Sequence, residues 1–223
     1  FSLICLVHNE TVVPLEVAQD HKCVFDGDKG PNTGGMGSYS PVKKITSEII
    51  DEAMNEIMKP MASAMVKEGV PFTGFLYGGL MLTEKGIKTI EFNARFGDPE
   101  AEVILPRLES DFVQAILDLM DNKPVELKWT DKVSHGVVLA STNYPASSTK
   151  GSLITGVDDV DGLVFHMGTK MTDEGLVTDG GRVLMVVTLE DDLQTAFDHT
   201  YKELEKIQCK DLFHRNDIGK KDM

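Results

Sequence analysis

Apolar and polar positions fall into two regimes along the chain. Residues 1–7 form a short apolar run and residues 12–19 a second, joined by the polar turn His8-Asn9-Glu10. Pro14 near the start of the second run suits an edge or a bend, so the spacing predicts a hairpin. From 46 to 67, Ile50, Met54, Ile57, Met61 and Met65 recur at three- and four-residue intervals, with Glu48, Asp51 and Glu52 in the first turn. That pattern predicts an amphipathic helix, bent or restarted at Pro60, whose methionine stripe is core. Residues 75–82 and 88–93, separated by Thr83-Glu84-Lys85-Gly86, predict a second hairpin. Short helices over 99–105 and 111–120, the latter started by Ser110 or Asp111, cover the sheet before Asp121-Asn122-Lys123-Pro124 breaks the pattern.

After Trp129 the character changes to short strands with turns between them, at 134–141, 151–155, 163–167 and 182–189, as in a small barrel or sandwich. A final helix over 192–208 buries Leu193, Ala196, Phe197, Tyr201, Leu204 and Ile207, and the tail from Asn216 reads as frayed. The expected class is α+β: an antiparallel sheet with covering helices over 1–128, then a small β-rich domain with a terminal helix over 129–223.

Composition narrows the function. The 223 residues are 41% hydrophobic and 26% charged, which suits ordinary globular packing. A net charge of -14 disfavours a nucleic-acid surface or an anionic membrane as partner, so an anionic substrate has to be met by a local cluster of donors. Cys5, Cys23 and Cys209 are odd in number and far apart, which fits a reducing cytoplasm better than a disulfide framework or a zinc site. No signal peptide, lipidation motif or long apolar run is present. The sequence opens inside a strand without an initiator Met, from which an incomplete chain is expected.

Two stretches carry candidate chemistry. In Thr89-Ile90-Glu91-Phe92-Asn93-Ala94-Arg95-Phe96-Gly97-Asp98-Pro99-Glu100, strand alternation puts Glu91, Asn93 and Arg95 on one face and packs Ile90, Phe92 and Ala94 behind. Carboxylate and amide oxygens are hard ligands for magnesium, and Arg offers a fork to phosphate or carboxylate. A surface ion pair between Glu91 and Arg95 accounts for the same pattern. The second stretch runs from Asp26 to Tyr39, with five glycines between Gly27 and Gly37. It reads either as a long surface connection or as a cradle of free backbone N–H groups for an anionic or carbonyl-bearing ligand. It is not a nucleotide P-loop, because it lacks the Gly-Lys-Ser/Thr ending and does not run directly into a helix.

Gln19-Asp20-His21-Lys22, Gly30-Pro31-Asn32-Thr33-Gly34-Gly35-Met36-Gly37, Ile90 to Glu100, Gly180-Gly181-Arg182-Val183-Leu184 and the final His214-Arg215-Asn216-Asp217-Ile218 together closely resemble the phosphoribosylamine-glycine ligase (glycinamide ribonucleotide synthetase) family. These are ATP-grasp enzymes of purine biosynthesis, and the resemblance spans essentially the whole chain in the right order. It implies the carboxy-terminal subdomain of an ATP-grasp fold and ATP-dependent joining of glycine to 5-phosphoribosylamine, with magnesium, or manganese in its place, as the metal. By resemblance, Glu91 and Asn93 are the metal ligands, and Arg95 lies beside the transferring phosphoryl group or the glycine carboxylate. Asp20, Lys22, Asn32, Thr33, Gly34, Gly35, Met36 and Gly37 contact phosphoribosylamine or glycine, and Gly181 and Arg182 close over the substrate. Asp98 is open between helix N-cap and substrate contact, and Arg182 between substrate contact and a structural strand charge. Two departures stand out. Gly79-Leu80-Met81 carries no acid where ATP-grasp enzymes often have a further metal ligand, and the family's glycine-rich domain, lid and adenine linker would all precede Phe1. The chain as given is therefore not expected to turn over, and another ATP-grasp carboxylate-amine ligase or a noncatalytic ligand-binding fragment remain the alternatives.

Overall fold

The computed structural model describes residues 1–223. In chain order the elements are β1 (Ser2–His8), β2 (Thr11–Pro14), β3 (Gln19–Asp20), β4 (Cys23–Phe25), β5 (Lys29–Asn32), β6 (Gly37–Ser40), α1 (Ser47–Ala53), α2 (Lys59–Lys67), β7 (Thr73–Thr83) and β8 (Gly86–Asn93). There follow α3 (Ala101–Ile104), α4 (Phe112–Met120), β9 (Val133–Ser141), β10 (Leu163–His166), β11 (Thr169–Thr172), β12 (Gly175–Thr178), β13 (Arg182–Glu190), α5 (Leu193–Leu204) and β14 (Leu212–Phe213). They form two units. The first holds Phe1–Gln19, Pro41–Gly97 and Arg107–Asp131, and the second Asp20–Ser40, Asp98–Pro106 and Lys132–Met223. The chain thus changes unit five times, and only the last crossing, between Asp131 and Lys132, falls near the single division expected at 128/129.

The first unit is built on an antiparallel sheet of order β2-β1-β7-β8. β1 is an interior strand, and every residue from Ser2 to Val7 is buried, which is why its sequence is apolar without alternation. α4 packs on β1 and α2 on β2. The Asp111 carboxylate caps α4 by accepting from Gln114 N at 2.9 Å. α1 and α2 are one helical rod joined through a π turn at Met54–Met58, with Pro60 in the first turn of α2. Proline has no N–H to give to the preceding turn, and the wider turn absorbs its ring. The inserted turn rotates the buried stripe to Ala53, Met54, Met58 and Ala62, replacing the stripe that a regular helix would bury.

The second unit contains a sheet of order β10-β13-β9-β6-β3, with β14 added against β9. All nine residues of β9 are buried. His135 reaches Thr200 of α5 at 2.9 Å, while a Cβ on the next residue, Gly136, would come within 3.1 Å of Val103 in α3. Successive side chains therefore meet a helix on opposite faces of the sheet. Asp192 caps α5 by accepting from Thr195 N at 2.9 Å. The antiparallel sheets with few helices fit the α+β class expected of the chain. Details differ. Residues 151–155 make only the isolated bridges Leu153–Val177 and Thr155–Gln208. The carboxy-terminal tail, expected to fray, is anchored: Ile218 is 0% and Arg215 1% exposed. No helix is long and apolar enough to cross a membrane.

Candidate functional site

The candidate residues fall into two groups, one in each unit. In the first, Tyr77 pairs with Asn93 and Gly79 with Glu91, but Leu80 pairs with Thr89, so Ile90 is an extra residue in β8. This bulge corrects the expected alternation: Ile90 is 64% exposed, not packed behind the strand. Beyond the bulge the register is regular, so Glu91 and Asn93 share one face. A Cβ on the opposing Gly79 would stand 3.1 Å from Glu91 Cγ, so the glycine leaves room for that carboxylate. β8 ends at Asn93, and Arg95 lies in the bend that follows, its Nη1 donating to Phe96 O at 2.8 Å. The Phe96 ring, 4.7 Å from that of Phe75, holds this bend on the sheet. Strand alternation therefore aligns two of the three expected side chains and not Arg95.

No group of three or more His, Cys, Asp or Glu side chains is placed to hold a metal. An exposed Glu91 beside a half-buried Asn93 offers two oxygen donors on one strand. Such a pair fits magnesium or manganese held jointly with waters and ligand phosphates, and it does not fit a metal that demands a full protein cage.

In the second unit Arg182 is the hub. Its Nη1 donates to Asp98 O at 2.9 Å and Gly34 O at 3.2 Å, lies 3.5 Å from Gly35 O, and pairs with Asp98 Oδ1 at 2.8 Å. Asp98 is not a helix cap, because α3 begins three residues later with Glu100 at its N-cap. Its carboxylate serves Arg182. Gly181 O accepts from Ser141 N at 2.7 Å.

The backbone N–H groups of the glycine loop are already committed. Thr33 N donates to Lys22 O at 2.8 Å and Met36 N to His21 O at 2.9 Å. Gly34 N donates to the Tyr144 hydroxyl, and Gly35 N to Thr33 Oγ1, both at 2.9 Å. Of the two readings of this stretch the open cradle of amides does not hold: from Thr33 to Met36 the loop is sewn to its own unit. Met36 is 0% exposed, so its side chain is core and not a ligand contact. Gly35 is required by geometry, since its φ is 121° and a Cβ would meet Pro99 Cδ at 2.4 Å and Asp20 Oδ1 at 2.6 Å. Gly37 is buried at the start of β6, Asn32 is exposed, and of Gly34, Gly35 and Gly37 it is Gly34 that is exposed.

Around this loop lie carboxyls with unusual basicity. Asp20 is buried and 2.6 Å from the Lys22 ammonium, yet burial and the neighbouring Glu100 charge hold its pKa well above the carboxylate range. Glu102 is pushed up to about 7, by burial first and then by Asp98, with Arg182 pulling the other way. One of its oxygens, Oε2, is buried without a hydrogen-bond partner. His21, beside this group in sequence, is held neutral at about 4 by burial first and by Arg215 next. Its Nε2 accepts from Gly219 N at 3.1 Å, so it is structural. Sequence reasoning misses Tyr144, which follows no motif and acts only through its approach to Gly34. It also misses Glu102, whose signal is a third carboxylate within five residues of Asp98.

Comparison with known proteins gives two family models in sequence, the first of which runs through parts of both units. Residues 1–101 match the model of the phosphoribosylglycinamide synthetase ATP-grasp (A) domain, and residues 134–221 that of its C domain. A phosphoribosylamine-glycine ligase from Halalkalibacterium halodurans is 52% identical over 222 residues, covering 99% of this chain and 52% of the relative. One from Listeria innocua is 47% identical, covering 99% of this chain and 54% of the relative. A crystal structure of phosphoribosylamine-glycine ligase from Thermotoga maritima is 37% identical with a TM-score of 0.89, covering 97% of this chain and 55% of that one. The chain spans about half the length of the curated relatives it matches.

Proposed function

We propose, from a chain that belongs to the phosphoribosylglycinamide synthetase family, that the protein it forms part of joins glycine to 5-phosphoribosylamine at the expense of ATP. The observation that carries this reading is the pair Glu91 and Asn93, on one face of β8 opposite Gly79 and Tyr77, in a segment that matches the ATP-grasp domain.

A free carboxylate is a poor acyl donor. In the proposed reaction a glycine carboxylate oxygen attacks the γ-phosphorus of ATP, the bond to the bridging oxygen breaks, and glycyl phosphate and ADP result. The amine of phosphoribosylamine then attacks the acyl carbon, phosphate leaves, and an amide forms with loss of a proton. A divalent cation held by Glu91 and Asn93, magnesium or manganese, would offset charge on the phosphates. Arg95, exposed after β8, is suited to a phosphoryl or carboxylate oxygen. In the second unit, Asp20, Lys22, Asn32, Gly34 and Arg182 are the groups we assign to glycine or phosphoribosylamine, with Asp98 orienting Arg182. The committed amides of the loop make it a rigid wall, so recognition falls to side chains and to the edge of Gly34. Glu102, raised to about 7 by burial and by Asp98, can hold or release a proton near neutral pH. Chemistry that draws on ATP and sugar phosphates points to the cytoplasm.

The test is ADP release by the full-length protein with glycine, phosphoribosylamine and a panel of other amino acids and amines. Release that requires glycine and phosphoribosylamine together is expected. Release with a different carboxylate-amine pair, or with neither, contradicts the assignment.

A further inference from the structure

One heavily bonded side chain of the second unit lies outside the residues assigned to substrate. Arg215 is completely buried. Its guanidinium donates to both oxygens of Asp217, at 2.8 and 2.9 Å, to Cys23 O at 2.9 Å and to Asp28 Oδ1 at 2.9 Å. Cys23 pairs with Asn32 at the base of the β4–β5 hairpin, and Asp28 lies at its tip. One planar fork therefore holds both ends of the hairpin.

Its neighbours hold the same segment. Asn216 binds Asp26 through its backbone N at 2.8 Å and its side-chain amide at 2.9 Å, and Gly27 N donates to Asp217 Oδ2 at 2.7 Å. Lys221 pairs with Asp28, Tyr39 donates to Asp222, and Gly219 N donates to His21.

A buried ion pair adds little stability over an apolar plug of equal volume, but it fixes geometry. What is fixed here is the stretch on either side of the hairpin, which carries Asp20 and Lys22 at one end and the glycine loop at the other. The two ends are in turn joined through Thr33 to Lys22 and Met36 to His21. We propose that residues 215–222 are a positioning strap, with Arg215 as a positioning residue that sets Asp20, Lys22 and the 32–37 loop for substrate. This rests on the substrate roles given to those residues above. Arg215 touches none of the reacting groups.

The test uses the full-length protein with Arg215→Lys and, as a variant that leaves the buried guanidinium in place, Asp28→Ala. Lysine keeps the charge but cannot span Cys23, Asp28 and Asp217 together. Both variants are expected to raise KM for glycine or phosphoribosylamine by about tenfold or more while leaving KM for ATP within about twofold. Hydrogen exchange at the Thr33 and Met36 amides is expected to quicken in both, with the unfolding midpoint of Asp28→Ala falling less than that of Arg215→Lys because Asp217 still pairs with the buried guanidinium. Unchanged exchange at those amides, or all three KM values moving together with the midpoint, overturns the inference. A wild-type protein without glycine-dependent ADP release refutes the ligase reading, and the exchange result then decides the strap alone.

Discussion

At the scale of residues, one guanidinium nitrogen organises the second unit. Arg182 Nη1 gathers two carbonyls, a carboxylate and the edge of Gly35 into one place. Glycine at 35 is what lets the backbone come so near to Asp20 and Pro99. Gly35→Ala combines a left-handed φ with two contacts under 3 Å, and is expected to cost roughly 2–4 kcal/mol in urea unfolding. A change below about 0.5 kcal/mol would show that the loop relaxes freely. Such dependence on distant partners also separates what the sequence reveals from what it hides. Glu91 and Asn93 are legible because a period of two needs no knowledge of the partner strand. The fate of the loop amides is not legible, because Gly34 N ends on Tyr144, 110 residues away. Asp98 looks like a cap in sequence and becomes a partner of Arg182 only once β13 is in place.

Elements depart from their predicted form where an insertion or a long-range tie intervenes. The bulge at Ile90 and the π turn at Met54–Met58 each shift a regular pattern by one residue, which periodicity alone does not reveal. The tail is polar and rich in charge, so it reads as solvated, yet those charges are spent on the hairpin. Its strength should depend on pH. Burial raises the pKa of Asp217, but hydrogen bonds from Arg215 and Gly27 N outweigh that and hold it down to about 2, below its ordinary 3.8. A depressed folded-state pKa contributes stability that is present above the unfolded value and lost as pH falls through the folded one. The wild-type advantage over Asp217→Asn in unfolding midpoint should therefore be constant above about pH 5 and shrink between about 4 and 2. An advantage that persists undiminished at pH 2 would place the strength of the tie elsewhere. Comparison with the variant cancels the contributions of His135, held low, and of Asp20 and Glu102, held high, whereas His21 feels the Asp217 charge and is held lower still in the variant.

For the whole molecule, a net charge of -14 would repel anionic phosphates unless a cation or a local cluster of donors intervened. The first unit has two oxygen donors on one strand face and an exposed Arg95, and the second has Lys22 and Arg182 among carboxylates. The most direct measurement is Mn2+ binding in the presence of ATP, followed by electron paramagnetic resonance on the full-length wild type, Glu91→Ala and Asn93→Ala. Both variants are expected to bind the ion at least about tenfold more weakly, with circular dichroism unchanged because Glu91 is exposed and Asn93 half-buried. Wild-type affinity in Glu91→Ala would contradict the account.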